Sequence, residues 1–389
     1  MRLKKFKIIV AALAVILVIA SVSVYFYASI PRTRQNVEVT MYEASTTGAA
    51  FWYVGLAEGF YKQNGLIVNS AGVSSTTSTV QGVAGDKTGF AFGDGDLMDI
   101  LLANANNPTE TNLIQVAETG RKNPVSVLYL SKSGITKPTD LNGKTIGTPF
   151  GSVSSQMFNN WAKIVGIDTN SLNKQNLQFA SLHPALLSGK VDAIVEFGRG
   201  IGSLQLQAKQ IGQNAGYFLL GDWLPTPLGG IVVQKTFAQS HPDIVQRIVN
   251  ATMTGYKFCL LNSEKCIQDF DNIMQGRDYE STLLEWQWSL KTDLVPNVPL
   301  DKVASTSPLQ LGYINSTQVT NLFKMAQQLY KIDTTKIDPS TIYTNQFVQQ
   351  PSGATSIGVS FEAQESKISM RSSLIWKNAT LLVNAQCKS

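Results

Sequence analysis

Three short polar stretches carry residue types that can hold a small molecule. In Phe150-Gly151-Ser152-Val153-Ser154-Ser155, an apolar strand hands over to an amphipathic helix through a glycine and three hydroxyls. Free N–H groups at a helix start, with the backbone able to come close at glycine, suit an anionic or polar head. The same serines, Ser152 or Ser154 above all, equally serve as ordinary N-caps. Glu196 leaves a buried strand just before Phe197-Gly198-Arg199. Its carboxylate accepts from a ligand N–H while Arg199 takes a carboxylate or sulfonate, or else the two pair with each other. Gly93-Asp94-Gly95-Asp96 closes another strand; its carboxylates either face a ligand or cap the helix that starts at Leu97. Glu43 and Thr46 belong to a small polar loop, Glu43 to Ala50, after the first strand. Trp52 and Trp223 offer flat faces for stacking, against the plainer alternative of core packing. The serines and Arg199 lean towards a sulfonate, carboxylate or nitrate, whereas Glu43, Asp94, Asp96 and Glu196 lean towards an amine or a heterocycle.

Other chemistry is excluded by spacing. Asn142-Gly143-Lys144-Thr145 is no phosphate loop, since Pro138 occupies the first glycine position and the strand follows it. Gly198-x-Gly200-x-Gly202 lacks the dinucleotide spacing. There is no H-E-x-x-H and no G-x-S-x-G, and Asp94, Asp96 and Asp99 match no Ca²⁺ loop. The expectation is no catalysis, no metal and no cofactor.

The N-terminus begins Met-Arg-Leu-Lys-Lys-Phe-Lys and continues in an uncharged apolar run, Ile8 to Ala28, of about the ~20 residues that cross a bilayer. Arg2, Lys4, Lys5 and Lys7 mark its cytoplasmic side. Tyr27 stands where a signal peptide wants a small residue before its exit. The expectation is an uncleaved membrane anchor over residues 1–31, with the rest outside the cytoplasm. The net charge of +5 is mostly an anchor effect, which removes any argument for nucleic acid. Charged residues are only 15% of the chain. A surface of Ser, Thr, Asn and Gln suits an acidic exterior, where ion pairs fail, or a glycosylated one, with sequons at Asn250, Asn315 and Asn378. Outside the cytoplasm Cys259 and Cys266 could pair and leave Cys387 single.

The elements that position these residues read as alternating strands and helices. Strands are expected at Val37 to Met41, Ile67-Val68, Phe90 to Phe92, Leu113 to Ala117, Val125 to Leu130, Lys144 to Thr148, Val191 to Val195, Tyr217 to Leu220 and Ile231 to Val233. Helices are expected at Phe51 to Tyr61, from near Val80, Leu97 to Ala103, Pro242 to Leu261, Tyr279 to Leu290 and Thr317 to Tyr330. Val83 to Asp94 and Leu186 to Phe197 repeat one design: helix end, Gly-Lys or Gly-Asp-Lys turn, buried strand, acidic residue at the exit. Two copies in separate halves point to two similar α/β lobes, with the Pro- and Gly-rich Trp223 to Gly230 as a crossover. The tail beyond Gln350 has no assignable role.

Five stretches in order, Tyr53 to Leu66 (YVG…EGFY…NGL), Phe90 to Asp94 (FAFGD), Asp140 to Lys144 (DLNGK), Leu187 to Ala193 (LSGKVDA) and Ser340 to Phe347 (STIYTNQF), carry a resemblance. The chain resembles the ABC-transporter substrate-binding proteins of the nitrate/taurine/sulfonate and thiamine-pyrimidine group. That resemblance implies a two-lobed periplasmic-binding-protein type II fold. Residues 36–124 and 223–350 would form lobe 1, residues 125–222 lobe 2, and 351–389 an extension. It implies a ligand in the cleft, delivered to an ABC permease, with the polar loops above at its rim. Two departures bear on the ligand: Gly89 replaces the usual Asp before the first lobe's buried strand, and the first polar loop lacks the Asn/His pattern of pyrimidine binders. An enzyme of thiamine-pyrimidine synthesis on the same fold would need a Cys- or His-rich site, and no Cys precedes Cys259. A sensory ectodomain would need a signalling partner, since only seven residues precede the apolar run.

Overall fold

The stretch Val125–Leu130 is buried at all six positions, as a strand covered on both faces must be. A computed structural model describes residues 36–73, 76–106, 112–150, 152–224 and 229–351. The apolar run Ile8 to Ala28, the sequon at Asn378 and the extension from residue 352 lie outside them. Among the described residues no helix is long and apolar enough to cross a membrane.

In chain order the strands are β1 (Val37–Ala44), β2 (Leu66–Val73), β3 (Ala91–Asp94), β4 (Leu113–Gly120), β5 (Val125–Leu130), β6 (Thr145–Thr148), β7 (Asn173–Asn176), β8 (Ala193–Phe197), β9 (Ala215–Leu219) and β10 (Gly229–Gln234). They form two five-stranded sheets, β2-β1-β3-β10-β4 and β7-β6-β8-β5-β9. Each is mixed, because the first strand to enter after a crossover runs antiparallel. β5 does so between β8 and β9, and β10 between β3 and β4. The two-lobed α/β expectation holds: one sheet is completed by β10 from beyond the second crossover, and the other is built from strands lying between the two crossovers.

The crossovers are held rather than free. Lys122 from the first pairs with Asp222 from the second at 2.6 Å. Arg121 points its guanidinium into the carbonyls of Glu118, Leu311 and Tyr313. One apolar cluster continues through both lobes, from Leu97 and Val232 to Val125, Phe158 and Trp161. The helix Tyr279–Thr292 packs on both the helix Gly200–Gln210 of lobe 2 and the turn Thr47–Ala49 of lobe 1. The C-terminal segment returns to β4, where Ile342 and Thr344 exchange backbone hydrogen bonds with Gln115 at 2.9 Å. That covers an otherwise open sheet edge.

One expected element divides. In place of a single helix from Phe51 to Tyr61 there are two, Ala50–Ala57 and Phe60–Gln63. Gly59 between them has φ 73, a left-handed turn that ends the first helix at no cost in side-chain clash. The strand expected at Val191 to Val195 begins two residues later, at Ala193, and carries on to Phe197, because Val191 still belongs to the preceding turn.

The Cys259–Cys266 disulfide is formed and both residues are fully buried, joining the helix Pro242–Leu261 to the helix Ser263–Met274. Replacing both by alanine is expected to lower stability by about 2–3 kcal/mol, the loop-closure value for so short a ring. Urea unfolding of the two proteins measures it, and equal midpoints would show the bridge to be dispensable.

Candidate functional site

The carboxyl ends of the parallel strands in the two lobes come together, with β1 and β3 on one side and β6 and β8 on the other. The end of the helix Tyr279–Thr292 lies beside them.

On the lobe 1 side three carboxyl groups converge. Glu43 ends β1 almost fully buried, and its two oxygens accept N–H groups from Ala44 at 2.9 Å and Asp94 at 3.1 Å. Tyr53 holds the same residue's backbone, donating its hydroxyl to the Glu43 carbonyl at 3.0 Å. Burial, and then the neighbouring Asp94, push the Glu43 carboxyl well above the usual range. Asp94 ends β3; burial and the nearby Asp293 raise it to about 7, against the hydrogen bond from Gly230 and the charge of Arg199. Among the described residues its Oδ1 is buried without a hydrogen-bond partner. Asp293, only 9% exposed, is raised to about 6 by burial, with Arg199 opposing. Its Oδ1 accepts from the Leu294 N–H at 2.7 Å. All three are raised because water is excluded and like charges meet.

On the lobe 2 side Arg199 lies with its guanidinium 4.6 Å over the Phe197 ring. It reaches across to lobe 1: a Cβ on Gly48 would stand 3.6 Å from its Nη1 and 3.8 Å from Asp293 Oδ2. Among the described residues its guanidinium has no hydrogen-bond partner, while its backbone carbonyl accepts from the Gly202 N–H at 3.2 Å. Phe179 stacks on Phe197 with centroids 6.1 Å apart, and Phe150 is exposed at the rim.

Several expected site residues take other roles. Glu196 does not pair with Arg199. Its Oε1 meets His183 Nε2 at 2.7 Å, and His183 Nδ1 meets Gln207 at 3.2 Å. Burial works against the His183 proton, but Glu196 and Gln207 outweigh it and raise the imidazole. Gly200 makes the space, since a Cβ there would fall 2.1 Å from Glu196 Oε1. Gly198 and Gly202 likewise let Thr292 and Leu284 approach, with Cβ contacts of 2.7 and 2.9 Å. The glycine run is therefore a packing device. Ser152 is the N-cap: its Oγ accepts from the Ser155 N–H at 3.1 Å, donates to the Pro149 carbonyl at 2.6 Å and meets Ser154 Oγ at 2.9 Å. Ser154 is fully buried and Ser155 nearly so. Trp52 is wholly buried against Phe51 and Phe92, which removes it as a stacking face. Gly93 is bare because a Cβ would lie 2.2 Å from the Tyr42 carbonyl oxygen on β1. Trp223 packs edge-on to Trp161 at 5.6 Å beside the second crossover, and Thr46 opens the turn Thr47–Ala49 through its carbonyl. Asp96 is buried just before the helix that starts at Leu97.

The residues missed in the sequence are Asp293 and Glu285, whose Oε2 accepts the Thr47 hydroxyl at 2.7 Å, and His183. Asp293 and Glu285 come from one helix and its end, about two hundred residues after the loops they complete, and nothing in their local pattern marks them.

Residues 46–265, more than half of the chain, match the family described as NMT1/THI5 like. The chain is 24% identical over 267 residues to a formylaminopyrimidine-binding protein of Halalkalibacterium halodurans, covering 68% of this chain and 78% of that one. It is 26% identical over 142 residues to the taurine-binding periplasmic protein of Escherichia coli, covering 36% and 43%. In three dimensions it is similar to the periplasmic aliphatic sulphonate binding protein of Escherichia coli, with TM-score 0.57 and 14% identity over 80% of this chain and 99% of that one.

Proposed function

This chain belongs to the NMT1/THI5-like family, and from that premise we propose that it is an extracytoplasmic solute-binding protein serving an ABC importer. It takes a small molecule between two lobes and presents it to a membrane permease. The observation that carries the reading is the meeting of polar groups from both lobes at strand ends: Asp94 and Asp293 on one side and Arg199 on the other. A ligand touching both sides favours the closed arrangement by its differential affinity. The named relatives are binding proteins, and their ligands set the first candidates: taurine, an aliphatic sulphonate or a formylaminopyrimidine. The buried disulfide supports an oxidising location outside the cytoplasm. Ile8 to Ala28 supports attachment to the membrane, with the permease close by.

Thermal unfolding with a panel of sulfonates, nitrate, aminopyrimidines and amino acids tests the proposal. A true ligand at a hundredfold its Kd is expected to stabilise the fold by about 2.7 kcal/mol. Small-angle scattering should show compaction with the same compound. A panel without any shift, together with a purified chain carrying no small molecule by native mass spectrometry, would overturn the receptor reading.

A further inference from the structure

We infer that the helix Tyr279–Thr292 is a clasp between the lobes, fixed to lobe 1 by one face and resting on lobe 2 by the other, and that the lobes part along the second face. The first face is a row at helical spacing: Thr282, Trp286 and Ser289 are all buried, and Asp293, just past the end, continues it. Hydrogen bonds tie this side of the helix to lobe 1. The Trp286 indole donates to Ser263 Oγ at 3.0 Å, and the Thr47 hydroxyl donates to Glu285 Oε2 at 2.7 Å. Where the helix ends, the Asp293 carbonyl accepts from the Arg121 N–H at 2.8 Å, and the Leu294 carbonyl accepts from the Tyr256 hydroxyl at 2.9 Å.

The other face carries Leu284, Trp288 and Thr292, each four residues on from the last, against lobe 2. The helix rests there on the helix Gly200–Gln210, and among the described residues no hydrogen bond or ion pair joins it to lobe 2. Shape alone makes the contact. A Cβ on Gly202 would stand 2.9 Å from the Leu284 carbonyl carbon, and one on Gly198 would stand 2.7 Å from the Thr292 methyl. Glycine weakens a helix, and at position 202 its bareness lets two helix backbones touch. Trp288 stands edge-on to Tyr217 with ring centroids 5.2 Å apart, packed against the apolar cluster of lobe 2 that includes Ile201 and Leu204. A face without hydrogen bonds parts and closes again without stranding a donor or an acceptor, whereas parting on the lobe 1 side would strand several. Trp288 also keeps a partner when the lobes separate, since Lys291 of its own helix lies 5.0 Å over the ring. Gly202 and Leu284 cover each other and leave no place for a solute between them, so this contact sets how much of the empty protein is closed. A solute held between the lobes then binds more weakly in proportion to any closed fraction that is lost.

Acrylamide quenching of tryptophan fluorescence tests this on the full-length chain with no solute added, Trp288 and Trp286 each being isolated by difference from its Phe variant. Gly202→Leu drives a side chain into the clasp and is expected to raise the quenching constant of Trp288 by roughly threefold or more, with that of Trp286 unchanged. Gly202→Ala, which favours the helix and adds one methyl, should move Trp288 the same way by a smaller factor. Lys209→Leu, at an exposed position of the same helix, should change neither. If the leucine variant exposes every tryptophan by unfolding, the alanine variant decides. Trp288 as well shielded in the deciding variant as in the parent would overturn the inference. So would Trp286 gaining access there in step with Trp288, which would put the parting plane on the lobe 1 side.

Discussion

Arg121→Ala is expected to cost about 3–5 kcal/mol of stability, the largest effect of any single substitution considered for this chain. Arg121 is at the first crossover, and all its polar groups but one have partners. The backbone N–H donates to the Asp293 carbonyl at 2.8 Å, and the carbonyl accepts from Gln318 at 3.0 Å. Nη2 serves the carbonyls of Glu118, Leu311 and Tyr313. Nε faces Glu118 Oε2 at 3.2 Å, an ion pair without the alignment of a hydrogen bond. Glu118 is completely buried, and burial has raised its carboxyl to about 7 even with the Arg121 charge opposing. Alanine would leave that acid alone in the interior and three carbonyls without a donor. The double variant Glu118→Gln with Arg121→Met removes both charges and should recover at least half of the loss, as a double-mutant cycle would show. Urea unfolding gives both values. A loss below about 1 kcal/mol for Arg121→Ala would mean that the crossover is not held by this residue.

The protein is expected to be more stable at pH 5 than at pH 8, by roughly 3 kcal/mol. Glu43, Asp94, Glu118 and Asp293 are all raised by burial, the last three to about 7, 7 and 6. In the unfolded chain these acids titrate near ~4. Between those values the folded state binds more protons than the unfolded one. Their contribution is full below the unfolded pKa and is lost as pH rises through 6 and 7. His183, also raised, acts in the same direction. The carboxyls lowered by local hydrogen bonds, such as Asp140 and Asp243, are at the surface and work the other way only at more acidic pH. Because Asp94 and Asp293 share one environment their effects do not add, which keeps the total well below the sum of separate shifts. Unfolding midpoints at pH 5 and pH 8 decide it, and equal or greater stability at pH 8 would show that these acids are not desolvated in solution. An optimum on the acidic side would agree with the low charge density of the surface.

Local pattern was enough for the parts of the fold whose cause is local. Val125–Leu130 is apolar at nearly every position and could only be a covered strand, and Pro242–Leu261 runs between a proline start and an apolar last turn with its helical stripe intact. The repeated turn, buried strand and acidic exit made two lobes legible, and the loop at Ser152 was legible as a cap or a cradle, of which the cap is present. β7 was not legible, since Asn173–Asn176 has no apolar residue and is a strand only because β6 offers its edge. The site was legible by halves. Asp94 and Arg199 were visible at strand exits, but their charge environment was not. Which acid is caged by backbone N–H groups, which is left bare, and that Glu196 turns to His183 while Arg199 turns to Phe197 are set by side chains meeting from distant parts of the chain. Asp293 is about two hundred residues from Asp94, and its carboxyl reaches the cleft because two glycines, Gly198 and Gly202, let the helix Tyr279–Thr292 close on lobe 2. Strand and helix follow from periodicity within a dozen residues, whereas a pKa and a hydrogen-bond partner depend on desolvation and contact, which exist only once the lobes have packed.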